Sequence, residues 1–348
     1  MTATATEWAS LPVVVNDVGS EAERRAEELR SECRIPIDLY RRIAELGLFR
    51  QLVPVVLGGR GCTPVEWFRN GVELARMNGS IGWVITQGSA ELGWIASGGD
   101  PTWVDEFLSD PLASSASTIA GLGSLARNGD STTIEGQWAF NTGCQGATWL
   151  GGLGLFEGTL RDDGLPEMSF GWVPSECAEI VEDWNPTGLR GTGSHSTIIP
   201  RQEIPCAWTL DVGAPTDNER GAYRCVVGNG GWPIATSVAA TQLGVARRAL
   251  DEALVVLREK APAPSFIPLK DNAAVQRDFL EAEGLWMAAR ASVERELESM
   301  WLEAERDEEL SIDQRIRLLT ANVTANRQSI AVVDLLVQLT GTVVVNAD

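Results

Sequence analysis

The residue types that carry most enzyme chemistry are scarce in this chain. It has a single histidine, His195, so the serine–histidine–aspartate set of hydrolases and a metal centre of several histidines are both nearly excluded. This histidine follows a polar turn, and we expect it on the surface. The six cysteines are scattered without a Cys-x-x-Cys pair, which argues against a zinc site. We therefore predict no metal site.

A few other side chains could serve a bound organic molecule. Phe140 and Thr142 alternate by two, so on a strand their side chains point to the same side. Glu91 lies in a helical stretch, where burial would raise the pKa of its carboxyl and let it act as an acid or base. Trp94 is a candidate for an aromatic pocket, and Arg190 for a pocket wall or an anion contact. Ordinary roles stay open for all five: a core ring, a surface hydroxyl, a solvated carboxylate or a structural ion pair.

The composition excludes two classes of partner. The formal net charge of −20 over 348 residues argues against binding to nucleic acid, which needs clustered cations, and against docking on an anionic membrane. No apolar run approaches the ~20 residues that cross a bilayer. The start, from Met1 to Ser10, lacks the basic-then-apolar order of a secretory signal. We expect a cytoplasmic protein.

The elements that would position these residues fall into three stretches. Residues 1–110 predict a helical domain. A capped helix start is expected at Ser20, with acidic residues in the next turn. Apolar residues then recur at helical spacing up to Leu48, and Gly47 can end that helix. Further helices are expected from Pro64 to Met77 and from Ser80 to Ala96.

Residues 111–215 differ in composition and are rich in Gly, Ser and Thr. Short alternating runs are separated by turn signals such as Asn128-Gly129-Asp130. The expected strands run from Thr132 to Trp138, Trp149 to Phe156, Met168 to Val173 and Ser196 to Ile199. This pattern predicts a small antiparallel sheet or β-barrel.

Residues 216–348 are helical again. Long helices are expected from Ala235 to Lys260, from Val275 to Arg306 and from Ile312 to Leu339, and antiparallel helices of this length form a bundle. Helices, a β module and a helical bundle, in that order, indicate an α+β fold of three domains.

Four stretches resemble the acyl-CoA dehydrogenase superfamily and follow the family's order over almost the whole chain. They are residues 35–61, 135–143, 185–194, similar to a Gly-x-Arg-Gly-Thr-Gly-Ser turn, and 242–250. The resemblance implies an N-terminal helical domain, a central β-barrel and a C-terminal four-helix bundle. Because the sequence stops at Asp348, we expect the last helix of that bundle to be missing.

Details of two stretches favour the family's flavin-dependent monooxygenase branch. Residues 136–143, Gly-Gln-Trp-Ala-Phe-Asn-Thr-Gly, are close to the branch's Gly-Arg-Trp-x-Phe-x-Ser-Gly, and residues 80–84 also look like that branch. A dehydrogenase of the family needs a glutamate base, and residues 232–238, one usual place for it, contain no acid. The other usual place lies near the family's C-terminus, so an acyl-CoA dehydrogenase stays an alternative. A non-catalytic binding protein on this fold is the second.

The resemblance implies reduced flavin, FMN or FAD, as the cofactor. Phe140 would pack against the flavin ring, while Thr142 and the backbone of Gly143 would meet its central nitrogen. Lys260 would reach the flavin phosphate of a neighbouring subunit, although a cation there also suits a helix end. The remaining contacts to the flavin tail or edge would come from Ser117, Thr118, Gly341 and Thr342.

Glu91 is a departure from the monooxygenase branch, which often has histidine at that position. Gln145-Gly146 likewise stand where relatives often have Asp-His. We therefore expect Glu91 to replace the usual acid or base and to contact the substrate together with Trp94 and Arg190. The implied substrate is an aromatic or polycyclic small molecule.

The chain contains no dinucleotide-binding fingerprint, because Gly121-Leu122-Gly123 lacks the third glycine and a following helix. We predict that a separate flavin reductase supplies the reduced flavin. The resembling family assembles through its C-terminal bundle, which implies a homotetramer or homodimer.

Overall fold

The computed structural model describes residues 8–161, 164–212, 225, 232–261, 267–306 and 310–341. Its N-terminal part is helical, as predicted. The helices are α1 (Leu11–Arg24), α2 (Ala26–Glu32), α3 (Ile37–Glu45), α4 (Pro64–Met77), α5 (Gly79–Gly98) and α6 (Pro101–Ser109). The predicted helix start at Ser20 is wrong. Ser20 lies inside α1, because the helix begins at Leu11 and Val14, Val15 and Val18 already form its buried face before Ser20.

Helix α5 is the element that carries most of the candidate site. The Asn78 side chain caps it by accepting from the backbone N–H groups of Ser80 and Ile81. Most residues of α5 are buried, because the helix packs against α4, α7 and the start of the first strand. Residues 83, 87, 91 and 94 recur every three or four positions, so they share one face of the helix.

The close packing of α4 against α5 depends on Gly82. A Cβ atom at Gly82 would lie 2.5 Å from both Cα and Cβ of Ala75 and 2.6 Å from its backbone nitrogen. We expect Gly82→Ala to lower the free energy of unfolding by about 1–3 kcal/mol, because the backbone of α4 must move. Gly284→Ala is the matched control, since Gly284 lies exposed on a helix with nothing within 4 Å of such a Cβ. It should raise the same free energy by about 0.5–1 kcal/mol. Urea unfolding of both variants measures the difference, and equal effects would contradict the packing argument.

The central domain is one mixed sheet of seven strands. They are β1 (Ser115–Asn128), β2 (Ser131–Asn141), β3 (Trp149–Leu160), β4 (Pro166–Pro174), β5 (Glu179–Val181), β6 (His195–Pro205) and β7 (Thr209–Asp211). Their order is β5-β6-β2-β1-β3-β4-β7, and within the described residues the end strands β5 and β7 do not pair with each other. The predicted closed barrel is therefore not found.

The prediction of an antiparallel sheet is also corrected at one pair of strands. β2 returns beside β1 through a tight hairpin at Asn128–Ser131, and β3 then pairs with the other edge of β1, in parallel. All other pairs are antiparallel. The long strand β1 was not among the predicted strands, since its run of Ser, Ala and Gly residues does not alternate and a register shift interrupts it between Thr118 and Gly123.

Three long helices end the described chain, within a few residues of their predicted bounds. They are α7 (Trp232–Glu259), α8 (Ala273–Glu305) and α9 (Ile312–Thr340). The described C-terminal residues form these three long helices, so the four-helix bundle that the resemblance implied is not confirmed. Helix α4 of the N-terminal domain packs against α7 instead, so Trp67 and Phe68 join the core of the C-terminal helices. None of the described helices is long and apolar enough to span a membrane.

Candidate active site

A pocket with a volume of about 800 Å³ opens beside α5. Its other walls are β1, β4, the turn after β2, the turn before β6, and the first residues of α7 and α9. Small-molecule sites usually measure about 300–1,000 Å³, so this pocket has the size of a site for an organic ligand. The α5 side chains that reach it include Trp83, Gln87, Glu91 and Trp94.

Glu91 is a half-buried carboxyl that accepts hydrogen bonds from three donors. The Trp172 indole N–H donates to its Oε1 at 3.0 Å, the Ser117 backbone N–H donates to its Oε2 at 3.1 Å, and the Ser115 hydroxyl also donates to Oε1. Burial raises the pKa of Glu91 above its ordinary value, although these hydrogen bonds oppose the shift. The carboxyl is thus not the solvated helix residue that remained possible from the sequence.

An aromatic wall lies next to Glu91. Trp94 meets Phe170 edge-on, with ring centroids 4.9 Å apart, and lies 5.9 Å from Trp172. Phe170 and Trp172 stack on each other at 5.7 Å. Edge-to-face and offset-stacked pairs are the favourable arrangements for aromatic rings. The structure therefore places Trp94 in the pocket, as the sequence suggested, within a wall of rings that support one another.

Phe140 and Thr142 both line the pocket, but not through regular strand alternation. β2 ends at Asn141, its pairing with β6 shifts register between Trp138 and Asn141, and Phe140 has φ 59°. A non-glycine residue with positive φ is strained and is often found at functional sites. The Phe140 ring is 61% exposed and meets Trp184 edge-on at 6.0 Å. The strained backbone thus presents a large apolar ring at the mouth of the pocket.

The hydroxyl of Thr142 belongs to an array that the sequence did not reveal. The Trp83 indole N–H donates to Thr142 Oγ1 at 3.1 Å, and Thr142 Oγ1 lies 3.0 Å from Ser194 Oγ. Ser194 Oγ in turn lies 2.8 Å from Thr192 Oγ1. The only sequence signal was that Thr192 and Ser194 belong to the glycine-rich turn before β6, where no role was predicted for them.

The other residues predicted to contact a flavin lie at two places. Ser117 and Thr118 line the pocket on β1. Gly143 does not line it, and its backbone N–H donates to the Thr192 carbonyl at 2.9 Å. Lys260 and Gly341 meet at the end of α9, where Lys260 Nζ donates to the Thr340 carbonyl at 2.7 Å. Neither of these two lines the pocket within one chain, and the predicted Thr342 lies outside the described residues.

Arg190 does not line the pocket, and the structure gives its guanidinium other partners. It donates to the carbonyl oxygens of Arg30 and Pro186, to Asn185 Oδ1 at 2.6 Å and to Cys33 Sγ at 3.1 Å. These contacts tie the loop before β6 to the end of α2. Arg190 is thus separated from Glu91 and Trp94, with which it was predicted to bind substrate.

His195 is buried, so the expectation of a surface histidine is wrong. It is the first residue of β6, and its Nδ1 accepts the backbone N–H of Trp184 at 3.1 Å. Burial lowers the pKa of His195. Its role in the site is therefore indirect, because it fixes the backbone of a pocket residue. The part of the chain that the structure describes contains no cluster of His, Cys, Asp or Glu suited to a metal ion.

Two sequence profiles of one family match this chain. The acyl-CoA dehydrogenase N-terminal domain matches residues 14–114, and the acyl-CoA dehydrogenase C-terminal domain matches residues 236–348. Together they account for most of the chain outside the central sheet.

Comparison with individual proteins indicates the branch of this family to which the chain is most similar. Indole-3-acetate monooxygenase of Acinetobacter baumannii is 24% identical, over 83% of this chain and 73% of the relative. The oxygenase subunit HsaA, a flavin-dependent monooxygenase of Rhodococcus jostii, is 31% identical over 52% of this chain and 47% of its own. The structure of XiaF from Streptomyces sp., in complex with FADH2 and glycerol, superposes with a TM-score of 0.85 at 20% identity, covering 97% of this chain and 86% of XiaF. XiaF thus shares the fold, and the two domain matches together with the two monooxygenase relatives show that the chain belongs to the acyl-CoA dehydrogenase superfamily, in its branch of flavin-dependent monooxygenases.

Proposed function

We propose that the protein uses reduced flavin, FMN or FAD, and O2 to hydroxylate an aromatic or polycyclic small molecule. The observation that carries this proposal is the pocket itself, which is lined by the exposed, strained Phe140, by Thr142 and by the aromatic rings of Trp94 and Phe170. When bound, reduced flavin supplies the two electrons with which one atom of O2 enters the substrate and the other leaves as water. The names of the relatives, an indole-3-acetate monooxygenase among them, support the same chemistry.

The pocket residues fit a flat ring system with a polar edge. Phe140 offers an apolar surface to the ring, and Thr142 offers a hydroxyl to the central nitrogen. Ser117 and Thr118, on β1, offer polar groups at the pocket wall. Exclusion of water from such a site would favour transfer of oxygen to the substrate over its loss as hydrogen peroxide.

Glu91 and Trp94 form the substrate side of the proposed site. Trp94 gives an aromatic substrate a ring to pack against, and Glu91 supplies the acid or base. Its raised pKa allows the carboxyl to take up and return a proton closer to neutral pH than an exposed carboxyl does. Pro233 and Ile234 line the pocket where a dehydrogenase of this family would often place its glutamate, which supports hydroxylation over dehydrogenation.

The tail of the flavin would extend beyond one chain. We propose that Lys260, Gly341 and Thr342 of a neighbouring subunit contact it, in a homotetramer or homodimer. The proximity of Lys260 Nζ to Gly341, where an added Cβ would lie 3.8 Å away, supports a common site for the first two. A separate reductase would supply the reduced flavin in the cytoplasm, in keeping with the relative named as an oxygenase subunit.

Phe140→Gly tests the flavin role of the strained ring. Glycine adopts positive φ without strain, so we expect the melting temperature not to fall. Loss of the apolar surface should nevertheless weaken binding of reduced FMN and reduced FAD roughly 10- to 100-fold, because burial of a phenylalanine is worth about 1.5–3 kcal/mol and about 1.4 kcal/mol is a factor of ten. Anaerobic equilibrium dialysis measures the dissociation constants, and thermal unfolding measures the stability.

Phe156→Leu is the control, because Phe156 belongs to the core of the sheet and does not line the pocket. It should lower the melting temperature and leave flavin affinity unchanged. Unchanged flavin affinity in Phe140→Gly would contradict the proposed position of the ring, and failure of the wild-type protein to bind either reduced flavin would overturn the proposed function.

A further inference from the structure

A row of tryptophan rings leads from the pocket to a partly exposed position elsewhere on the protein. The rings come from α5, β4, α6, the start of β3 and the connection between β6 and β7, and in that order they are Trp94, Trp172, Trp103, Trp149 and Trp208. Trp94 lines the pocket, Trp172 and Trp103 are buried, and the last two are half-buried and do not line the pocket. We call these five side chains the tryptophan path.

Consecutive rings of the tryptophan path are in contact. Their centroids, in the order given, are 5.9, 5.3, 5.9 and 4.7 Å apart, which are distances of favourable aromatic pairs. Phe107 and Phe170 adjoin the path and fill the same core, so packing alone does not call for an indole at all five positions. An indole is oxidised much more easily than a phenyl ring. An unbroken series of indoles in contact can therefore pass electrons from ring to ring.

The two buried indoles have N–H groups whose surroundings suit electron transfer. The Trp172 N–H donates to Glu91 Oε1 at 3.0 Å, so the ionised carboxyl stabilises positive charge on that ring and draws it away from Trp94. The Trp103 Nε1 is buried and has no hydrogen-bond partner in the part of the chain that the structure describes. An oxidised Trp103 thus has no acceptor for its proton and can be reduced again unchanged. A redox role is one of the recognised explanations for such an unsatisfied buried group.

We infer that the tryptophan path carries oxidising equivalents out of the pocket, a role that rests on the proposed function because O2 chemistry supplies the oxidant. An oxygen-centred radical RO•, formed by homolysis of a peroxide O–O bond, takes one electron from Trp94 and one proton from water and becomes ROH. Electrons then move along the path towards Trp94, which leaves the oxidised ring at Trp208. There a soluble thiol returns one electron and releases one proton, and two thiyl radicals combine to a disulfide. The pocket is left unmodified.

Photochemical oxidation tests the path without any flavin. A ruthenium tris-bipyridine complex, coupled to a dextran too large to enter the pocket and illuminated with persulfate, is a one-electron oxidant that reaches only surface rings. In the wild-type protein we expect oxidation products at Trp94 as well as at Trp208, located by peptide mass spectrometry. Trp103→Phe interrupts the path, so it should abolish the products at Trp94 and retain those at Trp208. Absence of products at Trp94 in the wild-type protein, or equal amounts in both proteins, would overturn the inference.

Two further variants separate interruption of the path from loss of packing. Trp67→Phe is the matched control, because Trp67 is a buried indole of the C-terminal core outside the path. It should lower the melting temperature, as Trp103→Phe does, and keep the wild-type pattern of oxidation products. Trp149→Phe interrupts the path at a half-buried ring and should repeat the result of Trp103→Phe.

Exposure of the loaded protein to O2 tests whether the path is used. The protein is preloaded anaerobically with reduced flavin and then mixed with O2 and a thiol, without substrate. We expect modified residues at Trp208 in the wild-type protein and at Trp94 in Trp103→Phe. Modification of Trp94 to the same extent in both would overturn the inference and leave the proposed function intact. If the wild-type protein binds no reduced flavin, the proposed function fails, and with it the role inferred for the path, even where the photochemical test shows that the path conducts.

Discussion

Thr142→Val should uncouple oxygen consumption from hydroxylation. Valine keeps the shape of threonine but removes the hydroxyl that accepts from Trp83 and faces the pocket. A hydrogen bond to a group that changes charge contributes about 1.5–3 kcal/mol, and about 1.4 kcal/mol is a factor of ten. We therefore expect the yield of hydroxylated product per O2 to fall roughly 10- to 100-fold, with hydrogen peroxide released in its place. An oxygen electrode, a peroxide assay and chromatography of the product measure the three quantities.

Thr241→Val is the matched control for this substitution. Thr241 is a buried threonine of α7 that does not line the pocket, so its replacement should leave both the product yield and the peroxide release at wild-type levels. Wild-type coupling in Thr142→Val would contradict the position we assign to this hydroxyl. Equal uncoupling in both variants would instead indicate a general loss of packing.

Glu91→Gln should remove the pH dependence that the Glu91 carboxyl confers. In the wild-type protein the base form is lost as the pH falls through the raised pKa of Glu91, so we expect the hydroxylation rate to fall on the acid side at a higher pH than an ordinary carboxyl would give. A general acid or base contributes about 100-fold or more, so Glu91→Gln should be slower by that factor and lack this acidic decline. Single-turnover rates measured across the pH range give both the slower rate and the loss of the acidic decline.

The stability of the same variant provides a readout that is independent of turnover. A raised carboxyl pKa means that the folded state binds the proton more tightly than the unfolded state does. Glu91 therefore favours folding below the ordinary carboxyl pKa of 4.5, and this contribution is lost as the pH rises from there through the raised pKa. Glu91→Gln should lack that pH dependence of the free energy of unfolding.

Glu106→Gln, at an exposed position of α6, is the control for both measurements and should match the wild-type protein. If Glu91→Gln keeps the wild-type rate and pH profile of hydroxylation but changes the stability as expected, Glu91 is a structural carboxyl and not an acid or base.

Local signals in the sequence explain why some elements were predicted closely. Helix α4 begins at Pro64 because Thr63 and Glu66 form a reciprocal cap, in which Glu66 Oε2 accepts the Thr63 backbone N–H at 2.8 Å. It ends at Met77 because Asn78 is extended and caps the next helix. Both ends depend on residues within three positions of the boundary, so they can be recognised without knowledge of the fold.

The features that were missed depend on contacts between distant parts of the chain. Whether the sheet closes depends on the pairing of β5 and β7, which the pattern within each strand does not determine. Likewise, Thr142 and Ser194 are 52 positions apart, and their contact follows from the pairing of β2 with β6. The positive φ of Phe140 has no sequence signature, because phenylalanine ordinarily avoids that conformation.

The family resemblance predicted which distant residues share one site, and the local sequence pattern could not do so. It implied a common site for Phe140, Thr142, Ser117, Thr118 and Glu91. All five line the same pocket. For Arg190 the prediction from the resemblance differs from the contacts that the structure shows. Arg190 binds carbonyl groups of a loop and a helix end, which a motif taken from relatives does not reveal.

In the mechanism we propose, the protein transfers one atom of O2 to an aromatic substrate at the expense of reduced flavin. The most direct test is a single turnover of the protein preloaded anaerobically with reduced FMN or FAD, together with indole-3-acetate and other aromatic acids and phenols, and then mixed with ¹⁸O2. We predict a product heavier by one ¹⁸O atom, formed by the wild-type protein and strongly reduced in Thr142→Val. A product without the label, or oxidation of reduced flavin that yields only hydrogen peroxide with every substrate class, would contradict the account.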